Sequence, residues 1–339
     1  MGESRNLRIW LTFLALAAAV LLCREDLTAR LQTFFSDPEV VSFLLYLETG
    51  KVIQVSDIWE TTAPPTSLPT VPAETEEFAQ PEQKPAVLAG DDTVYVRNSS
   101  GLAYDARALL QKPLTWDLTE HSPSVLIFHT HATESYTPTK ENPYAESSYY
   151  RTLESEDNML RVGQALEEAL EAMGIGVLRD STLHDYPSYT GSYGNARKTL
   201  KSYLEREPTL QLLLDIHRDA VESESGKQLP ARITVDGRKI AQIMLVVGTD
   251  AGGLHNPRWQ ENLSLALKLQ HQLEVLCPGI CRYISLRPER FSQDLSPGMM
   301  LIEVGAAGNT LEEALAAAEI LAQAIGSLAK GTVTADSTS

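Results

Sequence analysis

Three short apolar runs, far apart in the chain, each end on residues that are costly to bury. Ser124–Phe128 (SVLIF) leads into His129-Thr130-His131-Ala132-Thr133-Glu134. Leu210–Ile216 (LQLLLDI) leads into His217-Arg218-Asp219, and Met300–Val304 (MLIEV) carries Glu303 ahead of Gly305. Runs this short and this uniformly apolar fit strands covered on both faces, as in parallel sheets under helices. The segments between them have helical spacing. Met159, Val162, Leu166, Leu170 and Met173 line one face of a helix that Gly174 closes. Asn195–Leu204 and Pro257–Leu276 read as two more helices. Thr310 with Glu313 forms a capping box that opens an Ala/Leu-rich helix to about residue 329. Gly176–Leu178 is a short strand, and Asp236-Gly237 marks a hairpin turn within Arg232–Val247. The expected fold class is α/β, a mostly parallel twisted sheet flanked by helices.

In such sheets chemistry gathers just beyond the strand C-termini. That rule brings together His131, His217, a carboxylate and Glu303. Two imidazoles, one carboxylate, an open position for water and a carboxylate base make up a catalytic zinc site. Neighbouring Asp groups would fix the imidazole tautomers. Taken singly, each is an ordinary strand-end residue; ending three separate strands, they point to one centre. His129 and His131, at i and i+2 on one strand, would face the same way. Arg218 either holds a substrate carboxylate through its fork or pairs internally with Asp215 or Asp219. His255, in a loop, is read as facing substrate in the groove. His121, His184 and His271 are read as structural, and Tyr136, Tyr186, Tyr189 and Tyr193 as candidates for stacking on sugar faces.

The composition narrows the class. With 28 basic and 45 acidic residues the net charge is −17, so no global field attracts nucleic acid. No GxGxxG or GxxxxGK[ST] follows a strand, which disfavours nucleotide binding. The 3 cysteines exclude a four-thiolate zinc site. Cys277 and Cys281, four apart, are read as buried thiols, with a local disulfide as the alternative. Arg5 and Arg8 precede an uncharged run, Ile9–Cys23. It is short against the ~20 residues of a spanning helix, so a cleaved signal peptide competes. No small-x-small site closes it, however, and Leu22 precedes Cys23. The expectation is therefore an uncleaved signal anchor at 9–23 after a cytoplasmic n-region at 1–8. A juxtamembrane segment at 24–59 and a Pro/Thr/Glu-rich disordered linker at 60–93 follow. The catalytic body is expected at 94–330 and a disordered tail at 331–339. This layout puts the body outside the cytoplasm, on a single-pass membrane anchor.

Six segments carry a resemblance. HTHATESY at 129–136, NMLRVGQALEEAL at 158–170 and TLHDYPSYTGSY at 182–193 are three of them. LLLDIHRDA at 212–220, VVGTDAGGLHNPRWQENLSLA at 246–266 and LIEVGAAGNTLEEA at 301–314 are the others. Together they resemble the stage II sporulation protein P family over roughly residues 94–328. That family is similar to the zinc-dependent N-acetylmuramoyl-L-alanine amidases of type 3. The resemblance therefore implies an amidase type 3-like fold, Zn2+ as cofactor and peptidoglycan as substrate. It implies cleavage between N-acetylmuramic acid and L-alanine of the stem peptide, with endopeptidase action on cross-links, during engulfment. It also implies two partners, an engulfment membrane scaffold and a lytic transglycosylase.

By position, the resemblance makes His131 and His217 metal ligands and Glu303 the catalytic base, which returns its proton to the leaving amine. Arg218 joins Glu303 on the catalytic side, and His129 and Asn309 join His255 on the substrate side. The segment from Glu303 to Asn309 keeps the family's Glu, Gly and Asn but replaces its Phe and Ser. For the metal-binding carboxylate, Glu134, Glu154 and Glu156 compete. Glu134 ranks first because it sits in the HTHxxES signature. The rival readings are a metalloenzyme acting on a different wall amide and a catalytically weak, membrane-tethered wall-binding or scaffold component.

Overall fold

The computed structural model describes residues 87–88, 91–140, 142–144 and 150–330. The expected signal anchor, juxtamembrane segment, most of the linker and the tail lie outside the described residues. Among the described residues, no helix is long and apolar enough to cross a membrane. Strands β1 (Val87–Leu88) and β2 (Asp91–Asn98) come first, then helix α1 (Ala106–Gln111) and strand β3 (Val125–Phe128). Helix α2 (Met159–Glu171), strand β4 (Val177–Arg179), helix α3 (Ser192–Arg206) and strand β5 (Leu212–Asp219) follow. The hairpin β6 (Arg232–Val235) and β7 (Arg238–Ala241) leads into strand β8 (Ile243–Gly248) and helix α4 (Trp259–Leu276). Strands β9 (Ile284–Arg287) and β10 (Met299–Ala306) and helix α5 (Leu311–Ser327) come last.

Eight strands form one sheet in the order β1-β2-β9-β8-β10-β5-β3-β4. β4, β3, β5 and β10 run parallel to one another, and so do β8, β9 and β2. The two blocks meet antiparallel at β8 and β10, and β1 pairs antiparallel with β2. The sheet is mostly parallel, as expected, but it reverses direction at its centre. β3, β5 and β10 therefore end on one edge, and β8 ends on the other.

Side-chain alternation sets the layers. Val125, Ile127, Leu212, Leu214 and Ile216 join the core built with α2, α4 and α5. Leu126, Phe128, Leu213 and Met299 face the other way, onto Ala196 and Leu200 of α3. Each apolar run thus supplies both faces, which is why it reads as continuously hydrophobic. Helix ends follow their caps. The Asn158 side chain accepts from Leu160 N, and Thr310 and Glu313 close the expected capping box. In the β6–β7 turn, Asp236 has φ 51 and Gly237 φ 81, the paired left-handed conformation that two-residue hairpins require. β2 begins ahead of residue 94, and its Val94, Tyr95 and Val96 are buried. Cys277 and Cys281 are free and buried.

α2 approaches the sheet where it has no side chain. A Cβ at Gly163 would stand 2.5 Å from Nε2 of His129 and 3.3 Å from Cγ2 of Ile127. Gly163→Ala is expected to lower the melting temperature, although alanine favours a helix by about 1 kcal/mol over glycine. A rise in melting temperature would contradict this packing.

Candidate active site

Parity and register assemble the site. Glu303 of β10 is paired with His217 of β5, so the two side chains stand side by side on the α3 face of the sheet. Asp215 shares that face. The turn after β3 is pinned to it, because Thr130 donates from N to Asp215 Oδ1 at 2.8 Å and from Oγ1 to Oδ2 at 2.6 Å. That turn delivers His131, whose ring stands edge-on to His217 with centroids 5.2 Å apart. It also delivers Glu134, whose Oε2 lies 3.6 Å from Nδ1 of His217. On the far side of the His217 ring, Nε2 lies 2.8 Å from Asp215 Oδ1, close in distance but off the angle of a hydrogen bond. His131, Glu134 and His217 are all buried.

The charges are tuned by burial and by one another. Burial pulls the His131 imidazole down to about 4, with Glu134 opposing, so it stays neutral. Burial also works to lower His217, but the carboxylates of Asp215 and then Glu134 override it and hold the ring well above its ordinary value. Burial alone would raise Glu134; Arg218, then His217 and His131, hold it below the usual carboxylate range. Burial pushes the Glu303 carboxyl up to about 8, with the nearby Asp219 carboxylate adding to the shift.

The donor set suits zinc. Nδ1 of His131 is buried without a hydrogen-bond partner. The 3.6 Å between His217 Nδ1 and Glu134 Oε2 is near the ~3.3 Å edge of a tetrahedron with bonds of about 2.0–2.1 Å. Asp215 stands where an outer carboxylate orients a metal-binding imidazole. Among the described residues, no three such donors already stand at metal-holding distances.

Several expected site residues are placed elsewhere. β3 ends at Phe128, so His129 and His131 do not face the same way. His129 lies against Gly163 of α2, with Nδ1 2.9 Å from Ile216 O and no exposure, and is structural rather than substrate-facing. Asn309 is also fully buried. Its Oδ1 accepts from Ala231 N and Ala306 N, and its Nδ2 donates to Glu313 Oε2 at 2.7 Å. Asn309→Ala would strand both backbone donors and is expected to cost about 1–3 kcal/mol in denaturant unfolding. His255 is exposed in the loop after β8, at the edge opposite Glu303, because β8 runs antiparallel to β10.

Arg218 is engaged inside the protein. Its fork donates to Ser135 O and Tyr150 O, both at 3.1 Å, and Nη1 lies 3.8 Å from Glu134 Oε1. Asp219 instead pairs with Arg282 at 2.6 Å. Glu154 and Glu156 are exposed, while Glu134 is buried in the cluster. Among the tyrosines, Tyr189 stacks on His131 at 4.5 Å and Tyr193 meets it edge-on at 5.5 Å. Tyr136 is buried, with its hydroxyl on Val304 O.

The sequence reading missed Arg151. It donates to Asp185 Oδ2 at 2.6 Å and Thr133 Oγ1 at 3.0 Å, approaches Glu134 Oε1 at 3.4 Å, and lies over the Tyr189 ring. No periodicity marks it; the flanking Tyr149 and Tyr150 were the only local cue.

Comparisons with known proteins agree with the motif reading. The profile of the family described as Stage II sporulation protein P (SpoIIP) matches residues 62–326. Stage II sporulation protein P of Bacillus subtilis (strain 168) is 30% identical over 211 residues, 58% of this chain and 49% of the relative. The chain thus spans about half the length of that curated relative. Similar solved structures include the CwlD amidase from Clostridioides difficile in complex with the GerS lipoprotein. That match has 16% identity over 60% of this chain and 94% of that one, with a TM-score of 0.38. Another is the N-acetylmuramoyl-L-alanine amidase AmiC2 of Nostoc punctiforme, with 12% identity over 62% and 97% of the two chains and a TM-score of 0.36.

Proposed function

The chain belongs to the stage II sporulation protein P family, and from that premise we propose that it is a peptidoglycan hydrolase acting in sporulation. In this reading it cleaves the amide between N-acetylmuramic acid and L-alanine, during engulfment. One observation carries the proposal. His131, Glu134 and His217 converge at one buried sheet edge around an imidazole nitrogen that lacks a partner, with Glu303 alongside.

His131, Glu134 and His217 would hold Zn2+, which supplies Lewis acidity towards the carbonyl and towards water. The remaining work falls to the chain itself. Glu303 Oε2 is buried without a hydrogen-bond partner, so it is free to accept the proton of an attacking water. Burial raises that carboxyl to about 8, so its proton-accepting form gains population as the pH rises towards 8, and once protonated it returns the proton to the leaving L-alanine amine. Asp215 orients His217, and Arg218 and Arg151 orient Glu134. The same reading holds the body outside the cytoplasm on the 9–23 anchor, with an engulfment scaffold and a lytic transglycosylase as partners.

The test is digestion of purified peptidoglycan by the full chain with Zn2+, followed by mass spectrometry. Stem peptides with a free L-alanine amine should appear, vanish with a chelator and return with zinc. Cross-link cleavage alone would move the scissile bond to that of an endopeptidase. Intact sacculi beside folded, zinc-loaded protein would overturn the hydrolase reading in favour of a wall-binding scaffold.

A further inference from the structure

The two candidate metal-binding imidazoles are held in different ways. An imidazole that gives one nitrogen to a metal ordinarily has the other fixed by a carboxylate or a carbonyl. His217 has Asp215 Oδ1 beside its Nε2, at 2.8 Å. Neither ring nitrogen of His131 makes a hydrogen bond to a described residue. The His131 ring is enclosed by other rings instead. Tyr189 lies flat on it, with centroids 4.5 Å apart and the planes 11° from parallel. Tyr193 of α3 and His217 of β5 meet it edge-on, at interplanar angles of 88° and 87°. A flat ring pressed on a flat ring sets the plane of both, which an edge-on neighbour does less tightly.

Tyr189 is itself clamped. The Arg151 guanidinium lies over its ring, 4.8 Å from the centroid, inside the ~6 Å within which a cation is drawn to an aromatic face. Arg151 is fixed in turn by the buried carboxylate of Asp185, at 2.6 Å, and it approaches Glu134 at 3.4 Å. One arginine thus bears on both ligands, on Glu134 directly and on His131 through the Tyr189 ring. Tyr189 is 47% exposed, in a stretch, residues 186–191, that is exposed throughout between the buried Asp185 and Ser192. Its ring therefore adds little to the core, and the ring contacts it makes run to His131 and Arg151, both beside Glu134.

We infer that Tyr189 is the positioning residue for His131: its ring, packed against the Arg151 guanidinium, sets the plane of an imidazole that no protein hydrogen bond orients. The role rests on the metal-centre reading, and it is tested through metal uptake rather than turnover. The full chain is titrated with Zn2+ by calorimetry, and with Co2+, whose visible absorption reports the ligand arrangement. Tyr189→Ala should weaken Zn2+ binding by about 10–100-fold, the range over which outer partners of metal-binding imidazoles act, and should change the Co2+ spectrum. Tyr189→Phe keeps the flat ring and should restore both to wild type. Tyr189→Leu covers the imidazole without matching its plane, so it should stay weak. Melting curves of the zinc-free proteins should coincide, as the half-exposed position requires. With chelator present, the His131 ring protons should keep the upfield NMR shift of a stacked ring in Tyr189→Phe and lose most of it in Tyr189→Ala. If wild type and Tyr189→Ala bind Zn2+ equally, the metal reading stands and the positioning role falls. A raised KM on peptidoglycan with unchanged Zn2+ affinity also overturns it, making Tyr189 a substrate platform. If wild type takes up no Zn2+, the metal reading fails and the role fails with it.

Discussion

Glu303→Gln is expected to slow stem-peptide release by about 10²–10⁴-fold, the usual contribution of a positioned proton acceptor. Glutamine has the same shape and length, so the substrate site is preserved and KM should change little. What is lost is the ability to take a proton. The fold should not suffer, because the wild-type carboxyl is itself uncomfortable. Its Oε2 is buried without a partner, and burial with Asp219 nearby already raises its proton affinity. A neutral side chain removes that penalty, so the melting temperature should hold or rise, as happens where a site trades stability for activity. Release rates and melting curves on the same preparation check both halves. Activity within tenfold of wild type would remove Glu303 from the chemistry.

The second large effect is on the fold. Arg218 holds two backbone carbonyls and faces Glu134, all in the interior. Arg218→Met fills much the same space but leaves Ser135 O and Tyr150 O without these donors and Glu134 short of its main counter-charge. Removing one partner of a buried ion pair costs about 3–5 kcal/mol. Denaturant unfolding should show a loss of that size, together with loss of hydrolysis as Glu134 is freed. Arg218→Lys should recover only part of it, since an ammonium keeps the charge but not the fork. A loss below about 1 kcal/mol would mean that this pair contributes no more than a surface one.

The strands that carry the site were legible because they are buried on both faces. No alternation interrupts Val125–Phe128 or Leu212–Leu214, and polar residues begin where the strands run out. β2 was missed because its apolar part is only Val94-Tyr95-Val96, set between polar residues, so it reads like the end of the linker before it. His129 was misplaced by assuming that the strand continued past Phe128; one turn changes which face a side chain takes. His255 was misplaced because strand direction at the β8–β10 join leaves no mark in composition. Asn309 lies in the segment that carries the resemblance, and its side chain is taken up by two backbone N–H groups and by Glu313. Arg151 reaches Glu134 from 17 residues away, through a segment with no regular pattern, and only three-dimensional packing reveals it.

The central claim is that His131, Glu134 and His217 form one metal centre beside Glu303. Calorimetric titration of the full chain with Zn2+ tests it most directly. Wild type should bind one ion per chain, His131→Ala, Glu134→Ala and His217→Ala should each lose most of that affinity, and Glu303→Gln should keep it. Undiminished zinc binding in all three ligand variants would contradict the account.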